Sequence, residues 1–93
     1  MEYTDAQIAA LGCIPCKRMG YYWAPAEIHH VRKLRTSKKR KNAPRIPMCY
    51  WHHRGGGYGV ALHAGEKEFE KNYGTVDSML DEVAEMLTRR HGS

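Results

Sequence analysis

Cys49-Tyr50-Trp51-His52-His53 is the stretch on which the fold turns, because it sets a thiol beside two adjacent imidazoles. Cys49-x-x-His52 repeats the spacing of Cys13-x-x-Cys16, and 32 residues separate the two half-sites. Two such pairs make the ligand set of a tetrahedral Cys3His zinc site, in which each tight turn presents two donors to one ion. A lone Cys-x-x-Cys is also compatible with a redox pair, but a redox pair normally opens a helix in a βαβ context, and no such pattern surrounds Cys13. The spacing favours His52 as fourth ligand, with the adjacent His53 as the alternative.

The rest of the chain gives this site a purpose. A chain of 93 residues makes one domain and buries only about 60–65 % of its unfolded surface, so its core is marginal without a staple. Three cysteines, an odd number, argue against a closed disulfide framework and for a metal. No run approaches the roughly 20 apolar residues of a membrane span. No secretory segment is recognisable ahead of Cys13, so a reducing, cytoplasmic setting is expected. Gly55, Gly56, Gly57 and Gly59 form a glycine-rich connector. No Gly-Lys-Ser/Thr follows them, so a P-loop is excluded and no small-molecule cofactor is expected.

Charge is segregated. Residues 28–65 hold nine basic side chains (Arg32, Lys33, Arg35, Lys38, Lys39, Arg40, Lys41, Arg45 and Arg54) and no acidic one, whereas the remainder carries six basic and ten acidic residues. A basic block between acidic flanks suits a polyanion, and DNA is the expected partner through phosphate neutralisation. The plain alternative is a solvated loop tip at Lys38–Lys41.

Local signals place these residues on elements. Thr4 reads as the N-cap of a short helix over 4–11, ended by Gly12. Cys13–Cys16 reads as a tight turn, and 17–24 as an aromatic stretch without a period. Glu27–Val31 is expected to be the first strand of a hairpin and Ile46–Cys49 the second, with Pro47 restricting the latter to an edge. Residues 32–45 form the loop between them. A short helix over 66–73 should end at Gly74. Val76, Met79, Leu80, Val83, Met86 and Leu87 make one apolar stripe, which predicts a helix over 75–91 capped by Thr75. Its methionines are core, not a cofactor box.

His29 and His30 are neighbours on a strand, so their rings point to opposite faces and can do different work. One can bind a metal while the other binds a water, and neutral imidazole suits both tasks.

The order Cys13-x-x-Cys16, Glu27-Ile28-His29-His30, Ile46-Pro47-Met48-Cys49-x-x-His52-His53 resembles HNH (ββα-metal) endonucleases. It is most similar to the phage recombination-enhancement (Ref) family of RecA-dependent nucleases. The likeness continues through Gly56–Gly65 to Phe69 and Tyr73-Gly74, and so covers residues 11–74. The resemblance implies an α+β fold: a small zinc-stabilised, treble-clef-like hairpin and helix with flanking helices. It implies one nuclease domain over 1–93, with the zinc and catalytic core at about 11–74 and a C-terminal amphipathic helix at about 75–91.

By the family's logic His29 coordinates a catalytic Mg2+ or Mn2+, and His30 is the general base. His53, opening the helix, completes the metal site, and His63 is a further ligand or phosphate contact. Structural Zn2+ falls to Cys13, Cys16, Cys49 and His52. A RecA filament is an implied partner, and a phage or prophage gene in a bacterial cell the implied source. Two features depart from the wider pattern. Pro44 and Arg45 stand where an asparagine is usual, with Asn42 nearby, and His52 stands where many relatives have cysteine.

Two other functions compete. A non-catalytic zinc-stabilised nucleic-acid-binding module explains the charge and the cysteines, but not His29, His30, His53 and His63. A zinc-ribbon protein-interaction module explains neither the basic block nor the extra histidines.

Overall fold

Thr4 opens the first helix, α1 (Asp5–Ala9), with a capping box in which its hydroxyl accepts from the Gln7 amide at 3.1 Å and the Gln7 side chain accepts from the Thr4 amide at 2.8 Å. This is a computed structural model, and it describes residues 3–31 and 44–91. Gly12 then turns the chain with φ of +86°, and an added Cβ there would lie 2.5 Å from the Trp23 ring. Only glycine meets both demands.

Helix α2 (Ile14–Arg18) replaces the expected tight turn at Cys13–Cys16. Cys13 is its N-cap, with Sγ accepting from the Cys16 amide at 3.4 Å, and Pro15 sits in the first turn, where a missing amide proton costs nothing. The turn that carries the two thiols and the helix start are therefore one structure.

Strands β1 (Glu27–His30) and β2 (Arg45–Met48) form an antiparallel pair in which Glu27 faces Met48 and His30 faces Arg45. The pair is all the sheet there is among the described residues, so Pro47 leaves no third strand short of a donor. Ile46 and Met48 are fully buried, and α1, α2 and the last helix all touch β2, which makes this strand the centre of the core.

After β2 a π-helical turn, Trp51–Gly55, takes the place of a regular helix, closed by a Gly56 amide to Trp51 carbonyl bond of 2.9 Å. A 3-10 turn follows at Leu62–Ala64. The glycine run between them is tied down, since Asn72 Nδ2 donates to the Gly59 carbonyl at 2.8 Å.

Helix α3 (Glu66–Tyr73) ends at Gly74, and α4 (Val76–His91) runs to the end of the described residues. Thr75 caps α4 by accepting from the Ser78 amide at 3.1 Å, and Glu70 takes the Val76 amide at 2.7 Å. Val76, Met79, Leu80, Val83 and Leu87 are buried, with Met86 packed at the margin. The expected stripe is the face that α4 buries. The fold is α+β: one hairpin wrapped by helices. No helix is long and apolar enough to cross a membrane among the described residues.

Candidate metal centres

Three elements converge on the first centre. The α2 N-cap brings Cys13 and Cys16, the end of β2 brings Cys49, and the π-helical turn brings His52. His52 Nδ1 lies 3.6, 3.5 and 3.2 Å from the sulfurs of Cys13, Cys16 and Cys49, and the Cys16 and Cys49 sulfurs are 3.8 Å apart. Bonds of about 2.3 Å to sulfur and 2.0–2.1 Å to nitrogen around a tetrahedral ion give edges of about 3.8 Å between sulfurs and 3.5 Å between sulfur and nitrogen. The distances above lie near those edges, and all four donor atoms lie within 4.8 Å of one another, so they could hold one ion.

Burial pushes the Cys13 thiol up, against the pull of the Cys49 and Cys16 amides, and burial likewise raises Cys16. A cation reverses this balance, because thiolate is the form that ligates. His52 is held neutral by burial and packs edge-on against Tyr73, at 4.8 Å between centroids.

The second centre gathers His29 of β1, His53 of the π-helical turn and His63 of the 3-10 turn. His29 Nδ1 and His53 Nε2 are 3.3 Å apart, and the His63 ring centroid lies 4.5 Å from that of His53 and 5.4 Å from that of His29. His53 Nδ1 contacts Glu27 Oε1 at 2.8 Å. Donation of the Nδ1 proton to this carboxylate leaves an Nε2 lone pair facing His29, which is the tautomer a metal requires.

Glu27 in turn accepts two bonds from Arg54, at 3.1 Å from Nε and 3.0 Å from Nη2, and Arg54 with His53 holds its carboxyl down to about 2. Burial, then the charges of His53, His63 and His30, draws His29 down to about 4, and burial first also lowers His63. His29 and His63 are thereby held toward the neutral form that ligates.

The structure thus separates two adjacent residues whose spacing left both open as the fourth ligand of the first centre. His52 turns to the cysteines and His53 to the other histidines, both from the π-helical turn. His30 is exposed on the opposite side of β1 from His29, next to the loop.

Arg32, Lys33, Arg35, Lys38, Lys39, Arg40 and Lys41 lie outside the described residues. Arg45 is turned into the fold: its guanidinium is 10 % exposed, bonds Asp5 at 2.6 Å and donates to the Tyr3 carbonyl at 2.6 Å. Arg54 is more open, paired with Glu27 and stacked 5.3 Å from the Tyr50 centroid.

Sequence reasoning assigned no role to Glu27. The signal was its i, i+2 relation to His29, which puts both side chains on one side of the strand.

No curated protein matches the chain at a significant level. A family model does: the one described as "Recombination enhancement, RecA-dependent nuclease" matches residues 3–88, a span that includes every ligand of both centres. The chain belongs to this family of RecA-dependent recombination-enhancement nucleases.

Proposed function

We propose that the chain is a single HNH-type (ββα-metal) endonuclease domain over residues 1–93, with its zinc and catalytic core at 11–74, that hydrolyses DNA phosphodiester bonds in recombination. The observation that carries this is the aim of His53, which Glu27 orients toward His29 and His63 from the element that also carries His52. A pure binding module has no use for such an arrangement. The hairpin of β1 and β2, followed by the π-helical turn, stands for the ββα unit. Zn2+ is the ion for Cys13, Cys16, Cys49 and His52, by donor softness and tetrahedral spacing.

In the second centre a bound divalent cation supplies Lewis-acid stabilisation of charge on the scissile phosphate and the leaving oxygen. Three imidazoles are borderline donors, so Mn2+ fits them better than the harder Mg2+. His30 accepts a proton from the attacking water as that oxygen bonds to phosphorus and the ester bond breaks. His29, His53 and His63 hold the cation. The basic run Arg32–Lys41 and Arg54 contact phosphates, and Arg45 braces the hairpin against α1. DNA and the RecA filament are the partners to which the family's description points. The setting is the bacterial cytoplasm, and the gene is phage or prophage borne.

Plasmid nicking across a Mn2+ and Mg2+ titration, with and without RecA filaments, tests the assignment. His30→Ala should lose roughly 10²–10⁴-fold in rate, the usual worth of a positioned base, at every metal concentration. His29→Ala should lose activity that excess Mn2+ partly restores, because the defect is in metal binding. Nicking by His30→Ala at the wild-type rate removes that residue from the chemistry, and a wild type that never nicks leaves a DNA-binding module.

A further inference from the structure

A groove of about 440 Å³ lies beside the first candidate metal centre, lined by Tyr21, Trp23, Pro25, Tyr50 and Trp51 together with Cys16 and Cys49. Trp51 is 62 % exposed and Tyr21 60 %, and Tyr50 and Trp23 are about half exposed, so four aromatic rings meet solvent around one cleft. Aromatic area of this kind is costly to leave in water, and a contiguous patch marks an interaction site. None of it is used by the metal centres.

The chemistry of the rim selects the occupant. Apart from Met19, the large apolar side chains exposed among the described residues are all aromatic. Two cations stack on rings nearby: Lys17 Nζ, which donates to the Tyr22 carbonyl, lies 5.9 Å over the Tyr22 ring, and the Arg54 guanidinium, paired with Glu27, lies 5.3 Å over that of the groove residue Tyr50. Flat apolar faces interleaved with cations are what a single nucleic-acid strand needs, with bases stacked on rings and phosphates on the charges. The volume falls in the range of small ligand clefts, roughly 300–1,000 Å³, which admits a splayed base but not a duplex. Arg54 links the groove to the second centre, since it also grips Glu27 and thereby His53.

We propose that this groove stacks unpaired bases of a DNA strand and feeds that strand toward the His29–His53–His63 centre from the Tyr50–Arg54 side. The site then favours single-stranded segments or junctions over plain duplex. Its catalytic consequence rests on the nuclease reading; the binding itself does not.

The test is therefore made on binding, with the full chain and no added divalent cation. The chain has two tryptophans, Trp23 and Trp51, and both line the groove, so intrinsic fluorescence reports on it alone. Addition of oligo(dT) should quench that fluorescence. By anisotropy of a labelled single strand, Trp51→Ala and Tyr21→Ala should each weaken binding about 5- to 150-fold, the loss of one stacked base. Trp51→Phe should recover most of it, and duplex affinity should stay within about twofold.

Absence of quenching in the wild type, or variants that bind the single strand normally, overturns the proposal. If those variants keep strand binding but lose attachment to a RecA filament, the groove is a protein dock and base stacking is wrong. A protein that binds the strand through these rings yet never nicks plasmid refutes the nuclease and leaves the groove standing. The converse result refutes the groove alone.

Discussion

Glu27 is the residue on which the second centre depends most indirectly. Its carboxylate touches no metal ligand atom that faces the cluster, yet it sets the His53 tautomer and holds Arg54. An outer carboxylate of this kind is typically worth 10–100-fold in metal affinity. Glu27→Ala should therefore weaken Mn2+ binding at the histidine cluster by about that factor, while zinc content stays at the wild-type level. Glu27→Gln keeps an acceptor for the Nδ1 proton and should fall between the two. Manganese titration followed by electron paramagnetic resonance measures this directly, and equal affinity in all three proteins would show that His53 needs no orienting partner. His30 differs in kind, because it faces solvent and in the proposed role would enter only through the proton it accepts, so metal rescue would separate it from His29.

At the level of elements, the π-helical turn and the α1–α2 corner do the positioning. The turn closed by the bond from the Gly56 amide to the Trp51 carbonyl carries His52 and His53 side by side, and their rings face different centres. The corner is held from the other side. Trp23 covers Gly12 and donates from Nε1 to the Ala10 carbonyl at 3.1 Å, which locks the approach to Cys13. Gly12→Ala forces a left-handed conformation on a residue with a Cβ, at about 1–2 kcal/mol, and drives that Cβ into the indole. Urea unfolding should show a loss of at least that size, with a shift in tryptophan emission. An unchanged midpoint would mean that the corner relaxes freely.

The whole molecule has a small core, which a metal at the first centre would reinforce. A metal at the first centre would tie α2 to residues 33 to 39 positions later in the chain, across the hairpin. In a domain of this size metal binding is folding energy. The purified protein should carry about one tightly held zinc per chain at this centre. Cys16→Ser should lose that zinc and most cooperative thermal unfolding, seen by elemental analysis and near-ultraviolet circular dichroism. A metal-free protein with the wild-type melting temperature would remove zinc from the fold. Loss of zinc should also disorder the second centre, because His52 and His53 share one turn.

Short-range signals were legible in the sequence because their physics is local. The Thr4 and Thr75 caps, the α4 stripe and the Gly74 stop each depend on residues within a turn or two, and each stands where spacing and side-chain chemistry put it. The two Cys-x-x-ligand pairs were legible for the same reason, as was the contrast between His29 and His30. The helix at Ile14–Arg18 was not, since its cap is a cysteine sulfur whose preference for that position is weak in sequence terms. The family resemblance already put His63 beside His29 and His53 as a further ligand or phosphate contact, and the structure brings the three together. Only the tertiary structure decided between His52 and His53, turned Arg45 toward Asp5 and gave Glu27 its partner. Those outcomes depend on which elements the folded hairpin brings together, and no periodicity in the chain encodes a ring's direction across 24 or more residues.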